Sequence, residues 1–193
     1  MYLYILSRLV KYRMKRRKYW FDGHYQKYDN AHTAVIDDVS QTCGYEPFYY
    51  LKDKIHPGTL VLNLGCGHVD GNKAIEAYVL NADPYNVSDA QNQAVQRLIR
   101  DTRGVEFVIS ASVLNVIADT RVRLEHFYIA SSSLHEFGVA YFFVYTGNDS
   151  QVSTLEKNTF QRNSHAKVFV EEAKCFFKHV EVIEDFLLKC YNE

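Results

Sequence analysis

Proline is scarce in this chain, three in 193 residues, and glycine stops at nine. With the two strongest breakers of regular structure so sparse, 47% apolar residues and no biased tract, extended disorder is excluded and a packed globular chain is expected. Long apolar runs are missing too. No stretch approaches the roughly 20 residues of a membrane span. The apolar opening MYLYILSRLV is short, and its basic run follows rather than precedes it, the reverse of a secretory leader. Cysteine occurs four times, at Cys43, Cys66, Cys175 and Cys190, never as CxxC. That spacing argues against a zinc site and for reduced thiols. The expectation is a soluble cytoplasmic protein with no membrane partner and no metal.

What is present is unevenly placed. Residues 1–28 carry Arg8, Lys11, Arg13, Lys15, Arg16, Arg17, Lys18 and Lys27 against Asp22 alone, +7, which leaves −8 for the rest of a chain of net charge −1. Tyr12, Tyr19, Trp20, Phe21, Tyr25 and Tyr28 are interleaved with these bases. Such a mixture can grip phosphates while rings stack on bases, so nucleic acid is one partner it suggests. A solvated helix face, or a surface for an acidic protein, explains it equally. The length allows one core, hence a helical basic and aromatic extension over 1–56 and one domain over 57–193.

From Thr59 the pattern alternates between strand and helix. TLVLNLGCG reads as a buried strand, and AYVLNAD (77–83) as a second after a short helix capped by Asp70. Ser88 and Gln91 form an S-x-x-Q capping box before a helix with Ala94, Val95, Leu98 and Ile99 on one face. Strand 105–110 follows. Asp119 caps a helix with Leu124, Phe127, Ser131 and Leu134 on one face, ended by Gly138, before the central strand VAYFFVYT. Residues 147–164 read as a polar loop, and Ser164 as the cap of a helix with Phe169, Ala173, Phe176 and Phe177 inward. VEVIED and FLLKC close the chain as a hairpin. The fold class is therefore α/β: a Rossmann-like sheet, mostly parallel, with an antiparallel C-terminal edge hairpin and helices on both faces.

The stretch that carries chemistry is VLNLGCGHVDGNKAIEAYVLNADPYN. A buried strand ends in Gly65-Cys66-Gly67, where a sharp turn lets a ligand approach the backbone. Asp83 ends the next strand 18 residues after Gly65. In a nucleotide-binding βαβ unit that spacing sets a carboxylate beside the turn, able to accept from ribose hydroxyls. The plainer alternative is a strand-to-helix turn and a second turn at Asp83-Pro84. A dinucleotide site would want glycine at position 70, but Asp70 stands there and repels a pyrophosphate. A cationic sulfonium ligand does not meet that obstacle.

VLNLGCGHV resembles the first motif of class I S-adenosylmethionine-dependent methyltransferases, a strand ending in D-x-G-C-G-x-G, with Asn63 in place of the acid and Val69 in place of the third glycine. DPYN (83–86), SASVLNVI (110–117) with Arg121 and Arg123, and AYFFVYTGNDS are similar to methyltransferases of phages and bacterial DNA-modification clusters, over roughly Thr59 to Ser150. The resemblance implies S-adenosylmethionine as cofactor and a viral or phage-like setting. It implies Asn63 at the ligand's amino-acid moiety, Gly65, Cys66 and Gly67 at the turn, Asp83 at the ribose, and Ser110 and Ser112 at the end of the fourth family strand beside the methyl donor. It also implies a trimmed sheet, since a single helix fits where the family carries its third strand. The D/N-P-P-Y of amino-methylating DNA enzymes is SASV here and no Pro-Cys pair occurs, so the usual nucleobase chemistries lack their groups.

Methyl transfer from a sulfonium needs positioning more than a base. If a base acts, His68 is the candidate, the alternative being a surface histidine. Tyr85 either lies against adenine or packs. Asn115 either caps a turn near the ligand or serves the Asp119 helix. Gln161, Arg162 and Asn163 are candidate substrate contacts on the long loop, or part of a solvated connector. The function read is a methyltransferase with nucleic acid or a small molecule as acceptor. The alternative is a catalytically silent binding module of the same fold.

Overall fold

The computed structural model describes residues 45–147, 153–156 and 159–193, so the expected extension lies outside the described residues except for its last twelve. Those begin with α1 (Glu46–Leu51), which carries Pro47 in its first turn, where a missing N–H costs nothing. The chain continues through β1 (Leu60–Leu64), β2 (Tyr78–Ala82), α2 (Asp89–Asp101), β3 (Val105–Ala111), α3 (Thr120–Ser133) and β4 (Leu134–Phe143). A hairpin of β5 (Ser153–Glu156) and β6 (Thr159–Arg162) follows, then α4 (Val170–Ala173), β7 (His179–Glu184) and β8 (Leu187–Tyr191).

Six strands form one sheet in the order β2-β1-β3-β4-β8-β7. The first four are parallel, and β8 runs antiparallel between β4 and β7. This is the expected Rossmann-like sheet with its C-terminal hairpin. It is trimmed as expected: β2 is the edge, and Tyr78 there is 68% exposed. The central strands are apolar on both faces because both are covered. On one face Leu62, Leu64, Val108, Ala140, Phe142 and Leu188 pack against Ile99, Leu124, Phe127, Phe169 and Ala173 from α2, α3 and the α4 region. On the other, Val61, Val79, Ile109, Tyr141 and Phe143 meet Phe48 and Leu51 of α1. Each fully buried Val, Leu, Ile or Phe among them contributes roughly 1.5–3 kcal/mol.

Several local expectations shift. The helix after Asp70 contracts to one 3-10 turn, Gly71–Lys73, still capped by Asp70 through the Asn72 N–H. Gly71 lies under the Phe48 ring and beside Val79, where a Cβ would fall 2.6 Å from ring carbons. The Ser88–Gln91 capping box forms in both directions. The inward face of α2, however, is Asn92, Val95 and Ile99, while Ala94 and Leu98 are exposed. Helix α3 ends at Ser133 and passes directly into β4, so Gly138 lies within a strand instead of ending a helix. The loop expected over 147–164 holds the β5–β6 hairpin. Two strands of four residues are too short to leave a periodic pattern in sequence. The helix near Ser164 is a 3-10 turn, Ala166–Phe169, N-capped by His165 and continued by α4, with all four predicted residues buried.

Candidate functional site

The carboxyl ends of β1, β2 and β3 meet at one rim, where open α/β sheets bind ligands. Strand β1 runs into Gly65, whose N–H donates to the Ala82 carbonyl at 2.7 Å, with the Cys66 N–H behind it at 3.3 Å. Both glycines of the turn have positive φ, +75° at Gly65 and +55° at Gly67, which glycine adopts without strain. The Gly67 N–H donates to Asp83 Oδ2 at 3.1 Å. The expected closure of the acid onto the glycine turn is thus a direct bond.

Asp83 is 6% exposed and accepts more than that. Its Oδ1 takes the Tyr85 and Asn86 backbone N–H groups, both at 2.8 Å, and the Asn86 side-chain amide at 3.0 Å. Asn92 of α2 holds the Asp83 backbone from behind, accepting from its N–H at 3.1 Å and donating to its carbonyl at 2.8 Å. A carboxylate has about four lone-pair positions. Oδ1 is therefore filled, and Oδ2 keeps room for one further donor, not the pair of hydroxyls that spacing alone suggested.

A second network lies on the α1 face. Asn63 and Asn81 are register partners on β1 and β2. The Asn63 amide nitrogen donates to Asn81 Oδ1 at 3.0 Å and to the Val69 carbonyl at 3.2 Å. Asn81 donates on to Asp70 Oδ1 at 2.9 Å, which also accepts from Asn72. These bonds, led by those from Asn72, hold the Asp70 carboxyl below its usual range. One amide donation of Asn63 thus ties β1 to β2, and the other holds the loop at Val69.

At the third side, Ser112 leaves β3 with φ +57°, a conformation rare for non-glycine residues, and its N–H donates to the Phe143 carbonyl at 2.9 Å. Val113 next to it packs on Gly65, where an added Cβ would fall 2.4 Å from Val113 Cγ2. Gly65 is thus required by its neighbour as well as by its φ. The Cys66 thiol is pushed up to about 12, chiefly by burial and then by Asp83, so it stays protonated and is a poor nucleophile at neutral pH.

Ser110 does not face this rim. Its Oγ lies 2.8 Å from Nε2 of His126, both about 1% exposed, within the core under the sheet. Burial pushes His126 down to about 3 and keeps the ring neutral. His68 is exposed directly after the turn, and Tyr85 is 40% exposed beside Asp83. Asn115 serves neither anticipated role. From its 3-10 turn (Leu114–Val116) it donates to the Tyr145 carbonyl at 2.8 Å and the Arg162 carbonyl at 2.5 Å, and accepts from the Tyr145 N–H. It thereby joins the rim to β6. Arg162 and Asn163 are half-buried, Asn163 against Gly147, and the Gln161 side chain lies outside the described residues.

Asn81, Asn86, Asn92 and Val113 were not singled out from sequence. Asn92 could have been: it lies at i, i+3 and i+7 with Val95 and Ile99, a polar residue on a buried stripe. Among the described residues no cluster of His, Cys, Asp and Glu could hold a metal, and no helix is long and apolar enough to cross a membrane.

The sheet order β2-β1-β3-β4-β8-β7, with the glycine turn after β1 and the acid after β2, defines a Rossmann-like α/β fold. No protein-family model and no curated relative matches the chain. Among solved structures it is similar to a TehB-like SAM-dependent methyltransferase from Corynebacterium glutamicum, with TM-score 0.51 and 15% identity over 77% of this chain and 88% of that one. Two others are a SAM-dependent methyltransferase from Clostridium acetobutylicum (0.49, 9% identity, 83% and 93% covered) and DesVI from Streptomyces venezuelae (0.46, 13%, 87% and 94%). The likeness is one of fold, a mixed α/β Rossmann-like sheet, at low sequence identity.

Proposed function

We propose that the chain binds S-adenosylmethionine at the Gly65–Gly67 turn and transfers its methyl group. The observation that carries this reading is the 3.1 Å bond from the Gly67 N–H to Asp83 Oδ2, which joins the two halves of a nucleoside site. The residues fit the cofactor. Asp83 Oδ2 accepts one ribose hydroxyl, the turn lets the ligand approach backbone at Gly67, Tyr85 flanks the adenine, and the Asn63 carbonyl oxygen accepts from the amino group. Ser112 closes the rim beside the methyl donor, and Cys66 contributes backbone and packing instead of chemistry. When bound, the sulfonium supplies an electrophilic methyl with a neutral leaving group. The chain's own task is then to hold the acceptor in line and keep water away. His68, exposed directly after the turn, is the candidate to take a proton from an acceptor that releases one.

Nucleic acid is the acceptor that the basic, aromatic run over residues 8–28 favours, with a small molecule as the other class. A phage or viral setting follows from the DPYN and SASVLNVI resemblance. A second reading, a silent binding module of the same fold, is favoured by one observation: Val113 fills the space in front of Gly65. Calorimetry with S-adenosylmethionine, its demethylated product and NADH tests the site. Heat with both sulfur ligands and none with NADH is expected, and a preference for NADH would overturn the reading. Tritium transfer to DNA, RNA and cell extract then separates the enzyme from the silent module.

A further inference from the structure

The β5–β6 hairpin ends in Arg162, a half-buried arginine whose guanidinium has no ion-pair partner among the described residues. Below it, Arg123 of α3 and Glu172 of α4 make a buried bidentate pair, Nε to Oε2 at 2.9 Å and Nη2 to Oε1 at 2.7 Å. The remaining Arg123 donors reach the Ile117 and Ala118 carbonyls and the Thr120 hydroxyl. Both oxygens of Glu172 are thus taken by one guanidinium. Arg162 stands close enough to feel both charges, and among the described residues its guanidinium meets only the Phe169 ring, 5.8 Å from the centroid. Burial, followed by repulsion from Arg123, holds it below its usual range. Two guanidiniums share one carboxylate, and a half-buried unpaired charge is unfavourable unless something pairs it. The backbone of Arg162 is meanwhile locked: Asn115 donates to its carbonyl, and Val113, two residues before Asn115, packs on Gly65 of the glycine turn.

We infer that Arg162 is an oxyanion-binding residue that receives a carboxylate or phosphate group of the methyl acceptor. The guanidinium fork suits either anion through paired N–H bonds, and the ring of Phe169 lies 5.8 Å from the guanidinium carbon. The acceptor assignment rests on the methyl-transfer reading above, whereas the anion site itself does not.

The test titrates the whole chain with inorganic phosphate and with acetate, using sodium chloride for ionic strength, while the Arg162 Nε–H resonance is followed by NMR. A saturable shift with a dissociation constant on the order of 1 mM or tighter is expected for at least one anion. Arg162→Gln should abolish the accompanying rise in melting temperature, and Arg162→Lys, which keeps the charge and the packing stem, should weaken it about tenfold. No saturable shift with either anion, or an unchanged melting response in Arg162→Gln, overturns the inference. Calorimetry with S-adenosylmethionine on the same samples separates the two readings: an anion response without cofactor binding removes methyl transfer and leaves the site, and the converse removes the site alone.

Discussion

Replacing Asp83 by Asn keeps its shape and removes its charge, and four donors must then share one carbonyl oxygen. Three of them, the Tyr85 and Asn86 N–H groups and the Asn86 amide, lie on the Oδ1 side. The new amide turns its oxygen there, so its NH2 faces the Gly67 N–H, donor against donor. A part-buried N–H left unsatisfied costs about 1–3 kcal/mol, and the bonds kept on the other side fall from charged to neutral strength. Urea unfolding should therefore show Asp83→Asn less stable by about 2–4 kcal/mol with an unchanged slope. At this chain length the melting temperature falls by roughly 2–4 °C per kcal/mol. Affinity for S-adenosylmethionine, measured by calorimetry below the new melting temperature, should drop at least about tenfold, because the same oxygen serves the ribose. Stability and affinity both within about 0.5 kcal/mol of the parent would refute the joining of turn and acid.

Three further perturbations probe the surrounding frame. His126 is neutral when folded, with its pKa lowered from 6.5 to about 3, so the unfolded chain takes up a proton first as pH falls; stability should be whole above about 6.5 and decline toward about 3, by up to about 1.4 kcal/mol per pH unit, and equal slopes in parent and His126→Gln would contradict this. Gly65→Ala should cost roughly 1–2 kcal/mol for its φ alone, plus the clash with Val113, so a double-mutant cycle with Val113→Ala should give a coupling of at least about 0.5 kcal/mol, and strict additivity in thermal melts would show that the contact is unimportant. Glu172→Ala strips the bidentate carboxylate from a buried Arg123 and should destabilise by about 3–5 kcal/mol in denaturant titration; a loss below about 1 kcal/mol would mean that water reaches the pair.

The strands of this protein are legible in its sequence because burial on both faces demands continuous apolar runs such as VLNL and VAYFFV. The bend at Gly65-Cys66-Gly67 and the acid at Asp83 are legible because positive φ and carboxylate placement each narrow the choice of residue sharply. The Ser88 cap is likewise written locally, within four residues. Tertiary structure alone decided how the carboxylate divides its lone pairs between the Gly67 N–H and the Asn86 side chain, and how Asn92 of α2 grips the Asp83 backbone from behind, through turn and helix geometry that no spacing rule encodes. It turned Ser110 inward to His126, since alternation along β3 sets which face a side chain takes but not which partner waits there. It also set the Arg162 guanidinium over the Phe169 ring and within the electrostatic reach of Arg123 and Glu172, residues 39 and 10 positions away in the chain. Charge compensation is a sum over neighbours in space, and a linear sequence does not list them.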